Sequence, residues 1–200
     1  MKWRIRRHLT GAQAARYVLD HSGCRDVRIE RVAGELTDHY DPTTNVIRLS
    51  ANVHDSTSSA AVGVACHEAG HAIQYSENYA PIKMRAAIIP VTNIGSRLAV
   101  PLIMLGLVLC ALEPAWIGIA YLGIACFALS TVFQLLTLPT EFNASRRAIS
   151  AIESSNLLVG EELDGAKKVL TAAALTYVAA LAVSLMQLLR LLILVNRRRD

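Results

Sequence analysis

The sequence predicts a mainly α-helical integral membrane protein with about three transmembrane helices and a small antiparallel β-meander outside them. Three observations carry this reading. The 200 residues are 53% apolar and 18% charged, with a mean hydropathy of +0.36, which is more apolar than a water-facing surface usually tolerates. Long uncharged runs follow Arg97, Glu113 and Lys168. Ahead of these runs the hydrophobic period changes from helical to alternating and back to helical.

The first element is a short amphipathic helix over Thr10 to Ser22. It opens on a capping threonine, repeats Ala14, Tyr17, Val18 and His21 at helical spacing, and stops at Gly23. From Asp26 to Ser50 the period is two, in "VRIERV", "ELTDHY" and "NVIRLS", with Ala33-Gly34 and Asp41-Pro42-Thr43-Thr44 as turns. This pattern predicts the antiparallel meander. A second helix is expected from an N-cap at Asp55 or Ser56 to about Tyr75.

The spans come next. Leu98 to Leu112 is uncharged but only about 15 residues, short for a bilayer core of roughly 30 Å. Ala115 to Leu138 has about 24 residues without a charge and spans comfortably. Glu113 and Pro114 between them predict a tight membrane hairpin. A third span is expected over Val169 to Val195, with Arg190 near its far end, where a long side chain can snorkel to the headgroups. A buried soluble bundle is the competing reading, but helices of this length without a polar face have no way of meeting water. The expected organisation is therefore 1–97 for a water-facing part, 98–138 for a membrane hairpin, 139–168 for a return segment, and 169–200 for a last span with a basic tail.

Composition narrows the function. The net charge of +4 comes from basic residues placed mainly beside span ends, a pattern of orientation against the lipid bilayer and not of nucleic-acid binding. Met1 to Arg7 is basic without the apolar core of a secretory signal. Cys110 and Cys126 lie within expected spans, and Cys24 and Cys66 have no close-spaced partner. Neither a disulfide framework nor a cysteine zinc site follows.

The chemistry concentrates in "AVGVACHEAGHAIQYS", Ala61 to Ser76. His67 and His71 are four residues apart, one turn on one helical face, so their imidazoles can converge on one point. Glu68 sits beside that point. This is the HExxH pattern, in which two neutral imidazoles hold Zn²⁺ and the glutamate takes a proton from a water that the metal has made acidic. Histidines that only cap or pack are the bland alternative. A catalytic zinc commonly takes three protein ligands. The remaining candidates are His8, His21, His39, His54 and several carboxylates, among which Glu141 in "LPTEFNASRRA" stands out. Pro139 is expected to end the second span and Glu141 to begin a new helix. A hairpin of two spans returns the chain to the side it left, so the HEAGH helix and Glu141 can meet. A glutamate that merely favours the first turn of a helix is the alternative.

In order along the chain, "LTDHYDP", "AVGVACHEAGHAIQ", "LPTEFNASRRA" and "GAKKVLTAAALTYVAA" resemble the YugP-type family of neutral zinc metallopeptidases of the membrane. The resemblance covers nearly the whole chain. It implies a zincin-like peptidase domain with one zinc per chain, His67, His71 and Glu141 as ligands, and Glu68 as catalytic base. Members of that family usually carry a further hydrophobic segment ahead of the first helix, where this chain has Met1-Lys2-Trp3. Zincins with a glutamate ligand often place Asp four residues after it to orient a histidine, whereas this chain has Ser145. Asn143 or another group is left to fill that role.

The expected function is hydrolysis of peptide bonds in membrane or membrane-proximal polypeptides, with His39 or Tyr40 as a further donor to the oxyanion if the meander edge lies beside the helix. A turn-adjacent polar pair is the plainer reading of those two residues. The strand "NVIRLS" is a candidate for pairing with an extended substrate. The rival class is a zinc-stabilised membrane scaffold or substrate-holding protein without turnover. The expected location is a multi-pass position in a bacterial-type cell membrane. Near the span ends, Lys83, Arg85, Arg97, Arg146, Arg147, Lys167 and Lys168 against Arg190 and Arg197 to Arg199 lean the zinc site towards the cytoplasm, while the compactness of the Arg197–Arg199 tail argues the other way.

Overall fold

A computed structural model describes residues 8–197. The basic Met1 to Arg7 segment and the last three residues of the basic tail lie outside the described residues. The fold is mainly helical. Its elements are α1 (Gly11–His21), β1 (Arg28–Val32), β2 (His39–Asp41), β3 (Val46–Ser50), α2 (Ala51–His54), α3 (Ser59–Ser76), α4 (Ala80–Cys110), a 3-10 turn at Pro114–Trp116, α5 (Ile117–Ser154) and α6 (Glu161–Asn196). The chain forms two compact units. The first runs to Ala80 and resumes over Thr140–Leu175; the second holds Pro81–Pro139 and the segment from Thr176.

In the first unit, α1 opens on a capping box. Thr10 Oγ1 accepts the Gln13 amide at 3.3 Å while Gln13 Oε1 accepts the Thr10 amide at 3.0 Å. The helix buries Ala14, Ala15, Val18 and Leu19, and gives way to Gly23 at a φ of +78°. The sheet has the order β1-β3-β2. β2 and β3 form the expected antiparallel hairpin, but β1 pairs parallel with β3. This corrects the antiparallel meander. The Ala33-Gly34 segment is not a tight hairpin turn, and the chain from 33 to 45, which includes β2, serves as the crossover that a parallel pair needs. β3 is therefore the central strand, bonded on both sides, and is not free to pair with a substrate.

The sheet sorts its side chains by face. Ile47 and Leu49 are fully buried, and Ile29 and Tyr40, both in register with Ile47, pack on the same side. Arg48 faces the other way, 2.8 Å from Asp41 on one edge strand and 3.7 Å from Glu30 on the other. α3 packs on the apolar face, and the same buried core takes in α1, the end of α5 through Ala148 and Ile152, and the start of α6 through Ala166 and Leu170.

α3 starts later than expected. Ser58 is its N-cap, its hydroxyl accepting the Ala61 amide at 3.2 Å, because Asp55 closes the short helix α2 instead.

The helices expected to span are longer than their apolar runs. α4 begins at Ala80, well before Arg97, and continues through Pro90 and Pro101. α5 continues through Pro139, so Glu141 does not begin a new helix. A proline removes one backbone donor, a loss that an apolar helix tolerates when neighbouring groups take up the freed carbonyl. Packing of Ala144, Ala148 and Ile152 in the first unit holds the following turns helical. Acidic Glu161, Glu162 and Asp164 occupy the first turn of α6, where they favour the helix dipole. α4, α5 and α6 are all long and apolar enough to cross a membrane.

Within the second unit, α4 and α5 run antiparallel. A Cβ on Gly123 would meet the Ala99 carbonyl oxygen and the Ile103 backbone, both at 2.7 Å, and one on Gly95 would meet Cys126. Small residues of this kind let apolar helices approach closely without a hydrophobic drive between them. Val195 packs with Ile103, Ala120 and Ile124. Large apolar side chains such as Val100, Met104, Val108, Val183 and Met186 remain more than half exposed.

Candidate metal centre

α3 is lined with alanine and glycine because it is enclosed by neighbours, and its second half carries His67 and His71 on one face. Their rings stand edge to face with centroids 4.7 Å apart. α5 supplies Glu141, whose Oε2 lies 3.1 Å from His67 Nε2 and 3.5 Å from His71 Nε2. All three potential ligand atoms fall within 4.8 Å of one another, and among the described residues this is the group of three that could hold a metal ion. Ligands about 2.1 Å from a tetrahedral zinc stand about 3.4 Å apart, so the histidine-to-carboxylate separations already match. Two imidazoles and one carboxylate also form a donor set that suits zinc.

The two helices can come this close because of Gly70. A Cβ there would stand 2.7 Å from the Ala144 carbonyl oxygen, a contact with backbone that cannot yield. Ala144 is one turn after Glu141, so the crossing point fixes where that carboxylate reaches α3.

Burial makes the centre electrostatically tense. Glu141 is 2% exposed and His71 7%. Burial pushes the Glu141 carboxyl up, but hydrogen bonds with His67 and His71 outweigh it and hold the group well below the usual carboxylate range. Burial likewise pulls His71 down, yet the Glu141 hydrogen bond and the charges of Glu68 and Glu141 raise it overall. Glu68, also buried, has no hydrogen-bond partner among the described residues. Its carboxylate is available to a water or a substrate.

Partners stand behind both histidines. His67 Nδ1 is 3.1 Å from Ser145 Oγ, four residues after Glu141. His71 Nδ1 is 3.0 Å from Gln74 Oε1. Sequence reading did not pick out Gln74, although it follows His71 by three residues and therefore shares its face. Asn143 reaches His71 only through Gln74, whose Nε2 donates to Asn143 Oδ1 at 2.9 Å.

His39 and Tyr40 are not brought into this cluster. His39 is in register with Arg48, on the outer face of the sheet, and its Nδ1 lies 2.7 Å from the Thr37 carbonyl. Tyr40 does face α3, with its ring 5.6 Å from that of Tyr75, but its hydroxyl donates to Asn45 at 2.8 Å. Burial, then the neighbouring Tyr75 and Asp26, push that hydroxyl up to about 12. Of the other candidate ligands, His21 is stacked on Tyr17 and His54 is paired with Asp55.

The sequence model of a family described as "Putative neutral zinc metallopeptidase" matches residues 1–196. The chain belongs to this family. It is also 48% identical over 191 residues to a Bacillus subtilis (strain 168) protein named "Putative membrane protease YugP", an alignment that covers 96% of this chain and 83% of that relative. No solved structure matches the chain. Zinc is the metal that the family's description names, and the residues at the centre fit it.

Proposed function

We propose that this protein is a membrane-anchored zinc metallopeptidase of zincin-like design that hydrolyses peptide bonds in membrane-bound or membrane-proximal polypeptides. The observation that carries the proposal is the convergence of His67 Nε2, His71 Nε2 and Glu141 Oε2 beside an unengaged, buried Glu68. His67, His71 and Glu141 hold one zinc per chain. When bound, zinc supplies a Lewis acid that polarises a carbonyl and lowers the pKa of water. Glu68 accepts a proton from the attacking water and passes it to the leaving amine nitrogen, so that a carboxylic acid and an amine leave the site. Ser145 and Gln74 hold the imidazoles in place, which keeps the ligand geometry ready before substrate arrives. His39 and Tyr40 have no part in this scheme, since both are engaged elsewhere.

The bilayer covers the exposed apolar side chains of α4, α5 and α6, and the larger number of basic residues near the span ends on its side favours a cytoplasmic centre. The scaffold reading is disfavoured by Glu68, because a structural zinc site prefers four closed protein ligands and has no use for an unpaired carboxylate beside it.

The test is metal analysis of the full chain in detergent, wild type beside Glu141→Ala, with cleavage of a quenched reporter protein measured on both. One zinc per chain and hydrolysis, both lost in the variant, is the expected result. Zinc retained in the variant removes Glu141 from the ligand set, and zinc without hydrolysis in the wild type favours the scaffold.

A further inference from the structure

His71 and His67 look equivalent as ligands, but their surroundings treat them differently. Ser145 is a hydroxyl, which can donate or accept, so it does not dictate which ring nitrogen of His67 carries the proton. Gln74 is a carboxamide whose two ends are chemically distinct, and both ends are engaged.

The donor and acceptor roles can be followed inwards from the surface. Arg147 Nε can only donate, and it stands 2.7 Å from Asn143, which must therefore present Oδ1. Arg147 is itself held by Glu77 at 2.7 Å. With Oδ1 facing it, Gln74 must present its Nε2 to Asn143, at 2.9 Å. The Thr140 carbonyl, an acceptor without a proton, takes the other hydrogen of the same Nε2 at 2.8 Å. Gln74 is fully buried, so no water offers it an alternative. Its remaining atom, Oε1, is thereby the one turned to His71 Nδ1, and it can only accept.

We infer that Gln74 is a positioning residue, locked by Thr140 and by the Glu77–Arg147–Asn143 relay, that keeps a proton on Nδ1 of His71 and so turns Nε2 towards Glu141. The relay removes a choice that an isolated imidazole has. An Nδ1 without a proton would set two acceptors against each other in a buried site, a desolvation penalty that the folded protein avoids. Ring rotation is closed for the same reason. The zinc readout of this inference rests on the peptidase reading, whereas the proton on Nδ1 does not.

Two measurements on the full chain in detergent test it. The first is zinc affinity by competition with a chelator. Gln74→Leu and Asn143→Leu are expected to bind zinc about 10- to 100-fold more weakly, the usual cost of losing a residue that orients a metal-binding histidine. Asn143→Asp keeps an acceptor for both Gln74 and Arg147 and is expected to stay within about threefold of the wild type. The second is nitrogen NMR of histidine-labelled protein, with the His71 signals assigned by their loss in His71→Gln. It should find Nδ1 of His71 protonated and hydrogen-bonded, both without metal and with zinc added.

An unprotonated Nδ1 in the wild type, or an Asn143→Asp variant as weak as Asn143→Leu, overturns the inference. If a leucine variant fails to fold, Asn143→Asp and the wild-type spectrum still decide. A wild type that binds no zinc but shows the Nδ1 proton refutes the peptidase reading and leaves the lock intact.

Discussion

The carbonyl oxygen of Ala144 occupies the space where a Cβ on Gly70 would make contact, at 2.7 Å. Gly70 lies between His67 and His71, and Ala144 lies one turn after Glu141, so this single approach sets the gap across which the three candidate ligands meet. Gly70→Ala gains helix propensity but forces two backbones apart, and overpacking of this kind costs about 1–3 kcal/mol. The variant is expected to melt at lower temperature and to bind zinc more weakly. Thermal unfolding with zinc titration checks both, and a variant matching the wild type in each would show that the crossing has slack.

Glu68→Gln separates holding the metal from using it. Gln is nearly isosteric, and Glu68 is not a ligand in the proposed scheme, so zinc content is expected to remain at the wild-type level. Hydrolysis should fall by at least the 10²- to 10⁴-fold that a positioned acid–base group contributes, roughly. Loss of zinc together with activity would make Glu68 a ligand.

Much of this centre was legible in residue spacing. Histidines four apart point the same way on any helix, and the expected return of the chain after two apolar runs singled out Glu141. Pro139 misled the boundary, since a local rule for proline cannot weigh the packing of Ala144, Ala148 and Ile152 further along. The parallel pairing of β1 with β3 was equally hidden. Alternation reports which face a residue takes and not which strand it lies beside. Gln74 escaped notice for a different reason: a buried glutamine inside a helix reads as neutral filler until its partners on α5 are known.

Arg48 ties the sheet together at Asp41, and this pairing gives the fold a pH dependence. The Arg48 guanidinium, then the Thr44 hydroxyl and the Thr43 amide, hold the Asp41 carboxyl well below its ordinary value. A depressed carboxyl stabilises the folded state above the unfolded pKa, about 3.9, and that contribution is lost as pH falls below it. Asp41→Asn is therefore expected to melt below the wild type at neutral pH, with the difference beginning to narrow as the pH falls below about 4 and closing only towards the depressed folded value. Because the pair is partly exposed, high salt should also narrow it. Parallel melting curves at pH 7 and pH 3 decide the matter, and a gap of constant size would exclude Asp41 as the titrating group.

The last expectation concerns which polypeptides are cut. Glu141 follows Leu138, the end of the apolar run in α5, by three residues of one continuous helix, a rise of about 4.5 Å along its axis. If the bilayer covers that run, the proposed zinc ligand stands within about one turn of the lipid boundary. Arg146, exposed on the same helix, can then meet lipid phosphates. A substrate already held in the bilayer arrives at such a centre with much of its translational freedom gone, and the second contact becomes an intramolecular event at raised effective concentration. The same cleavable sequence should thus be cut faster on a membrane anchor than free in solution. The measurement uses the protein in liposomes, both substrates at equal total concentration, and initial rates. A gain of roughly 10²-fold fits the range for two-point contacts, and a free peptide cut as fast as the anchored one would mean that the bilayer does not present the substrate.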